Sequence, residues 1–217
     1  MENNKIIQSH GGYKNLKSYQ TATIAQDFTA EFCRRYIDKR SRTHDQMVQA
    51  ARSGKQNIAE GSQDSGTSSK IEIKLVGVAR GSLEELKADY KDFLRHNNLK
   101  LWEKDDPRAR EIRQLAYVEN KSYETYSSYI ENPESAANCA ITIINQANYL
   151  LDRQLKALEG KFLKEGGFTE RMNKTRRDRR KIQADRWGVF NKDQQLSPEE
   201  FAKKLEEELK DFNPEEE

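Results

Sequence analysis

Residues 53–86 read SGKQNIAEGSQDSGTSSKIEIKLVGVARGSLEEL. Two motifs stand in this stretch, Asn57-Ile58-Ala59-Glu60-Gly61 and Ala79-Arg80-Gly81-Ser82-Leu83-Glu84-Glu85-Leu86, with a Ser- and Gly-rich segment at 62–69 between them. The pattern predicts a helix that stops at Gly61, a turn, and a second helix that opens near Ser69. A glycine just past the last periodic residue is a common helix stop, because a left-handed residue there has no Cβ to clash. Ser69 and Glu72 have the spacing of a capping box, in which each side chain bonds the other's free backbone N–H. An antiparallel helical hairpin follows, with both motifs on helices.

Outward from the hairpin the same period recurs. Ile24, Phe28, Phe32 and Tyr36 stand four apart, with Ala25, Cys33 and Ile37 beside them, and predict a helix over 18–39. Thr43 and Gln46 suggest the start of a helix over 43–60 with Met47, Val48, Ala51 and Ile58 inward. Leu75, Val78, Ala79, Leu83, Leu86, Tyr90, Phe93 and Leu94 mark a helix over 70–97, in which Gly77 and Gly81 suggest close packing of a neighbour. Asp106-Pro107 and Asn132-Pro133 place a cap before a proline at the first helical position. They open a short helix over 107–118 and a long one over 133–164, the latter striped by Ala136, Ala140, Ile144, Ala147, Leu151, Leu155, Leu158 and Phe162 and ended by Gly166-Gly167. The zone 98–132, with Tyr123, Tyr126 and Tyr129, is less regular. Residues 1–17 are polar and expected to form a flexible arm.

This is an all-α pattern, read as an up-down four-helix bundle over 18–164 with additional C-terminal helices. Charged residues make up 34% of the chain, hydrophobic ones 35%, and Pro (four) and Gly (eleven) are few, as suits long helices with wide solvated faces. Moderately apolar faces of this kind also fit a homo-oligomer. The net charge of +2 is uninformative, but its distribution is polarised. Residues 168–187 carry eight Lys and Arg against three Asp and Glu, whereas 189–217 carry four against ten. A basic helical extension over 168–187 followed by an acidic helix and tail over 188–217 is expected, with Ser197-Pro198-Glu199-Glu200 as the start of the final helix.

Several classes are disfavoured. No apolar run approaches the roughly 20 residues of a membrane span, and no signal peptide is recognisable, so no membrane association and a cytoplasmic location are expected. Cys33 and Cys139 are expected to be buried and inert. His10, His44 and His96 lack partners at metal-ligand spacing, and no Walker-type loop or Gly-x-Ser-x-Gly motif is present. No metal, no cofactor and no enzymatic activity are expected.

Two groups of polar residues remain. Asn57, Glu60, Arg80, Glu84 and Glu85 suit a structural polar network that fixes helix register, since Arg80 and Glu84 share a helical face. Arg171, Lys174, Arg176, Arg177, Arg179, Arg180 and Lys181 suit phosphate recognition, because guanidinium groups pair with phosphate oxygens and displace counterions. Arg52, Lys55 and Lys74 are weaker candidates for the same role. The alternative is a structural or protein-interaction module whose basic helix docks the acidic tail or a partner.

The paired motifs Asn57–Gly61 and Ala79–Leu86 resemble those of the four-helix-bundle proteins encoded in ribosomal RNA intervening sequences and of the accessory variability determinants of diversity-generating retroelements. The resemblance covers about residues 18–164, and Gly166-Gly167-Phe168-Thr169-Glu170-Arg171 with the basic run is similar to the C-terminal suffix of some members. Family members usually carry an apolar residue and a Pro before the first motif, where this chain has Gly54-Lys55-Gln56. The resemblance implies a homopentameric ring, nucleic-acid binding (RNA or DNA), and a reverse transcriptase as a partner. It supplies no catalytic residue.

Overall fold

The computed structural model describes residues 10–193 together with Ser197, Glu199 and Lys203. Every regular element among them is helical. Residues 1–9 of the expected arm, and the acidic helix and tail beyond Asp193 apart from those three positions, lie outside the described residues. The chain divides into two compact units, one spanning 7–168 and one formed by 1–6 with 169–217.

The larger unit contains α1 (Lys17–Tyr36), α2 (Arg42–Asp64), α3 (Ser69–His96), α4 (Pro107–Gln114) and α5 (Pro133–Glu165), with 3-10 turns at Tyr13–Asn15, Leu115–Tyr117 and Tyr123–Glu131. Both α1 and α3 pack against α2 and α5. Ser18 Oγ donates to Gln154 Oε1, and Tyr36 OH donates to the Ile130 carbonyl just before α5, so α1 and α5 run antiparallel. Arg80 meets Asp152 and Lys87 meets Asn145, which makes α3 and α5 antiparallel as well. At the centre, Phe32 lies 4.8 Å from the Tyr90 ring and 4.9 Å from Phe93, both edge-on, the arrangement favoured by aromatic quadrupoles. The buried Tyr90 hydroxyl donates to Thr29 Oγ1, which in turn donates to the Ala25 carbonyl. No polar atom of that pair is stranded in the core.

Helix ends follow side-chain chemistry, with shifts from the sequence expectation. Ser41, not Thr43, caps α2 by accepting from the Thr43 N–H, and Ser68, not Ser69, caps α3 by accepting from the Ile71 N–H. Asp106 and Asn132 cap α4 and α5 ahead of prolines. The first helix ends at Tyr36 rather than 39, because Ile37 is extended.

The largest correction concerns the glycines of the opening stretch. Gly61 does not stop its helix; α2 continues to Asp64. A Cβ at Gly61 would lie 3.3 Å from Leu75 Cβ and 3.4 Å from the Glu72 carbonyl, and one at Gly54 only 2.7 Å from Leu83 Cδ2. These glycines are where α2 and α3 come closest, and they set an antiparallel register that also brings Ser53 Oγ within 3.0 Å of Ser82 Oγ. Gly77 and Gly81, by contrast, are exposed, and a Cβ at either would meet nothing within 4 Å. Among the described residues of the larger unit, no helix packs on them.

The irregular zone 98–132 is held firmly. Asn98 takes a left-handed conformation (φ 54°) after α3, and the Leu99 N–H returns to the Leu94 carbonyl. Trp102 is then anchored twice on α5: its backbone N–H donates to Asn138 Oδ1 and its indole N–H to Glu134 Oε1, each at 2.8 Å. The Arg108 guanidinium sits 4.0 Å above the indole ring. Tyr126 and Ile130 are fully buried. Hence every residue from Ala136 to Ile144 of α5 is buried, a run wider than the single stripe the sequence suggests. Part of the expected arm is also fixed: the Gly11 N–H donates to the Ser62 carbonyl and Ser62 Oγ donates to the Gly11 carbonyl. Gly11 and Gly12 hold φ of 82° and 76° there, a region that disfavours other residues.

The two glycine environments predict opposite signs. Gly54→Ala should destabilise by about 1–2 kcal/mol, overpacking against Leu83 exceeding the gain in helix propensity. Gly77→Ala should stabilise by about 1 kcal/mol. Urea denaturation of both variants checks the contrast.

Candidate nucleic-acid interface

From Thr169 on, α6 (Phe168–Asp193) belongs to the second unit. It runs past 187, the expected end of the basic extension; a single internal Gly188 costs a helix only about 1 kcal/mol. Lys174, Arg176, Arg177, Arg179, Arg180 and Lys181 are all exposed, and Arg171 is half-buried. At 100° per residue these side chains surround the helix instead of forming one face. Arg176 and Arg180, and likewise Arg177 and Lys181, stand four apart, where like charges destabilise a helix. Among the described residues, no ion pair engages any of the six exposed cations. The result is a rod of repelling positive charge about 10 Å long between 174 and 181.

The weaker candidates do not converge. Arg52 and Lys74 are exposed and Lys55 is half-buried. The register that sets Gly61 beside Leu75 puts Lys74 level with Gly61. Lys55 then lies about 9 Å along the axis and Arg52 about 13 Å. Three isolated cations on two helices do not build a phosphate cradle.

The five residues expected to form one polar network separate into four places. Arg80 and Glu84 do meet partners, but these are on α5. Arg80 Nε donates to Asp152 Oδ1 at 2.5 Å. Glu84 accepts from Lys87 Nζ at 2.6 Å and from Asn148 Nδ2 at 2.9 Å, and Lys87 also reaches Asn145 Oδ1. Burial pushes the Glu84 carboxyl up, yet the hydrogen bond and charge of Lys87, with Arg80 and Asn148, hold it below the ordinary carboxylate range. Asn57 turns back on its own helix, donating to the Ser53 carbonyl and Oγ. Glu60 is exposed and accepts from Gln56 on its own helix. Glu85 lines an open groove between α2 and α3 with Arg42, Asp45, Ser53, Ser82 and Asp89. Sequence reasoning missed Lys87, Asn145, Asn148 and Asp152, whose roles depend on the α3–α5 register.

Among the described residues, no three His, Cys, Asp or Glu side chains are placed to hold a metal ion, and no helix is long and apolar enough to cross a membrane. Cys33 and Cys139 are free and buried, and burial pushes the Cys33 thiol up to about 12. On the α1 side, Glu31 is clamped by Arg34 and Arg35, and Arg35 reaches on to Glu131. Those hydrogen bonds, Arg34's first, hold the Glu31 carboxyl down at about 2. Comparison with protein-family models, curated proteins and solved structures returns no match.

The Glu31 clamp has a definite pH signature. Its folded-state value lies below the ordinary 4.5, so its contribution is present above that value and is lost as the pH falls through about 2. Glu31→Gln should therefore narrow the gap in urea midpoint between pH 6 and pH 3 relative to the unaltered chain. Added salt should shrink this difference, because the clamp is near the surface.

Proposed function

We propose that this chain is a non-enzymatic accessory protein that binds RNA or DNA phosphates through α6, carried on an oligomer of a four-helix scaffold. In this reading α1, α2, α3 and α5 are the up-down bundle of the resembled family. The supporting geometry is the antiparallel run of α1 with α5, α3 with α5 and α2 with α3. The ring of five copies, the cytoplasmic setting and a reverse transcriptase as partner enter from the resemblance and the sequence pattern.

The observation that carries the reading is the charge of the six exposed cations from Lys174 to Lys181, which form no ion pair among the described residues. Arg176, Arg177, Arg179 and Arg180 raise the energy of their own helix by mutual repulsion. Each phosphate laid against them relieves that repulsion, adds a charge-assisted hydrogen bond and releases a condensed counterion. Such recognition is independent of sequence, since phosphates carry no base information. The polar cluster of Arg80, Glu84, Lys87, Asn145, Asn148 and Asp152 serves the scaffold, fixing the register of α3 on α5.

Fluorescence anisotropy with labelled single- and double-stranded oligonucleotides tests the proposal. Binding should weaken linearly in log–log form with salt, and replacing Arg176, Arg177, Arg179 and Arg180 together by Gln should flatten the slope by roughly 3–4 on a duplex. Lys74→Gln should leave the slope within about 1 of its original value. No binding at about 50 mM salt sinks the proposal.

A further inference from the structure

Among the described residues of the larger unit, one face of α3 is left uncovered. Ile71, Lys74, Val78, Gly81, Glu85 and Ala88 follow one another at spacings of three and four, the a/d alternation of a heptad. All six are exposed, Ile71 by 45% and Val78 by 43%. The glycines on this side are anomalous. Gly54 is bare because Leu83 needs its space, whereas nothing lies within 4 Å of a Cβ at Gly77 or Gly81. Within the protomer both only weaken the helix, by about 1 kcal/mol each. Lys74 and Glu85 on the same face make no ion pair among the described residues.

We propose that this face is a contact between two copies of the chain, with α3 lying antiparallel on α3 about a two-fold axis that passes between Val78 and Gly81. An isologous contact must be self-complementary, and this stripe is. In the antiparallel register a positions meet d positions. Val78 enters the open space over Gly81 of the second copy. Lys74 meets Glu85 of the second copy, and Ile71 meets Ala88. Symmetry repeats each pair, giving two valine knobs, two glycine holes and two ion pairs. The parallel register fails on the same residues. It sets Lys74 on Lys74, Glu85 on Glu85 and Val78 on Val78, and leaves the glycine hole empty. Charge thus selects the orientation as well as the partner. Lys70 and Lys91 fall at the outer rim, where solvent screens like charges.

This contact differs in kind from the head-to-tail contacts that close a ring of five, which pair two different patches. It stands independently of nucleic-acid binding, and loss of binding by α6 would not touch it.

Sedimentation equilibrium of the full chain at about 100 µM, roughly 100-fold above a micromolar dissociation constant, is the test. Lys74→Glu and Glu85→Lys should each halve the assembly's mass, and the two together should restore it. Gly81→Trp should also halve it while leaving the helical circular dichroism unchanged, since the protomer has room at that position. The proposal is overturned if the unaltered chain sediments as a 25.3 kDa monomer, if either charge reversal leaves the mass unchanged, or if the double exchange folds but does not reassociate. Association that survives Gly81→Trp also overturns it.

Discussion

The close approach of α2 to α3 at Gly54 and Gly61 is the constraint on which the rest of the larger unit depends. Leu83 is fully buried only because position 54 carries no side chain, its Cγ and Cδ2 lying within 3 Å of where a Cβ would stand. With α2 that near, α3 turns Val76, Ala79, Leu83, Leu86, Tyr90 and Leu94 inward as one continuous seam. Tyr90 then reaches Thr29 on α1, and Arg80, Glu84 and Lys87 point to α5. A helix pair can slide when its contacts are only leucines; it cannot slide when one side chain occupies the space of a missing one. The register set at two glycines thus fixes which polar groups on α3 find partners.

The second anchor is Trp102. A segment of 98–132 without a long helix would ordinarily be a loose excursion. Here one indole, held by Glu134 and Asn138 and covered by Arg108, ties that excursion to the first turns of α5. Glu134 also takes the Lys100 N–H, so a single carboxylate at the start of a helix serves backbone, indole and guanidinium together. Those bonds, the indole's first, hold its carboxyl below the ordinary range. The anion is favoured there for a further reason, since a helix N-terminus carries partial positive charge.

What was legible in the sequence follows from how local each signal is. The stripes of α1, α3 and α5 could be read because the helical period depends only on neighbours along the chain. Caps at Asp106 and Asn132 were legible for the same reason, and the basic run of α6 is a matter of composition. Gly61 was not. A glycine marks a helix end in one context and a close approach in another, and only Leu75 and the Glu72 carbonyl on the facing helix decide between them. The reverse error befell Gly77 and Gly81, where packing was expected and open solvent was found. Arg80 and Glu84 were rightly set on one face. Their partners Asp152 and Asn148 lie 72 and 64 residues away and become visible only once the α3–α5 register is known. Trp102 carried a signal that was passed over: a lone tryptophan in a charged stretch needs both a covering surface and a partner for its N–H.

The two units solve opposite electrostatic problems. In the larger one several charges at helix contacts have an answering group, as with Glu31 between Arg34 and Arg35 or Arg80 on Asp152. Surface pairs of this kind contribute little each, and they neutralise one another locally. In α6 six exposed cations over eight positions have no such answer among the described residues. The stretch 174–181 is polar on all sides and gains nothing from burial, and charge repulsion opposes its hydrogen bonds. In the proposed function a polyanion would reverse the sign of that repulsion, stabilising the helix and being bound by it through the same interaction. Because the cations surround the axis, contact on one side still leaves charge on the other. Under that proposal one α6 would touch two phosphate strands, or one strand and the backbone of a neighbouring duplex, without any change in the helix itself.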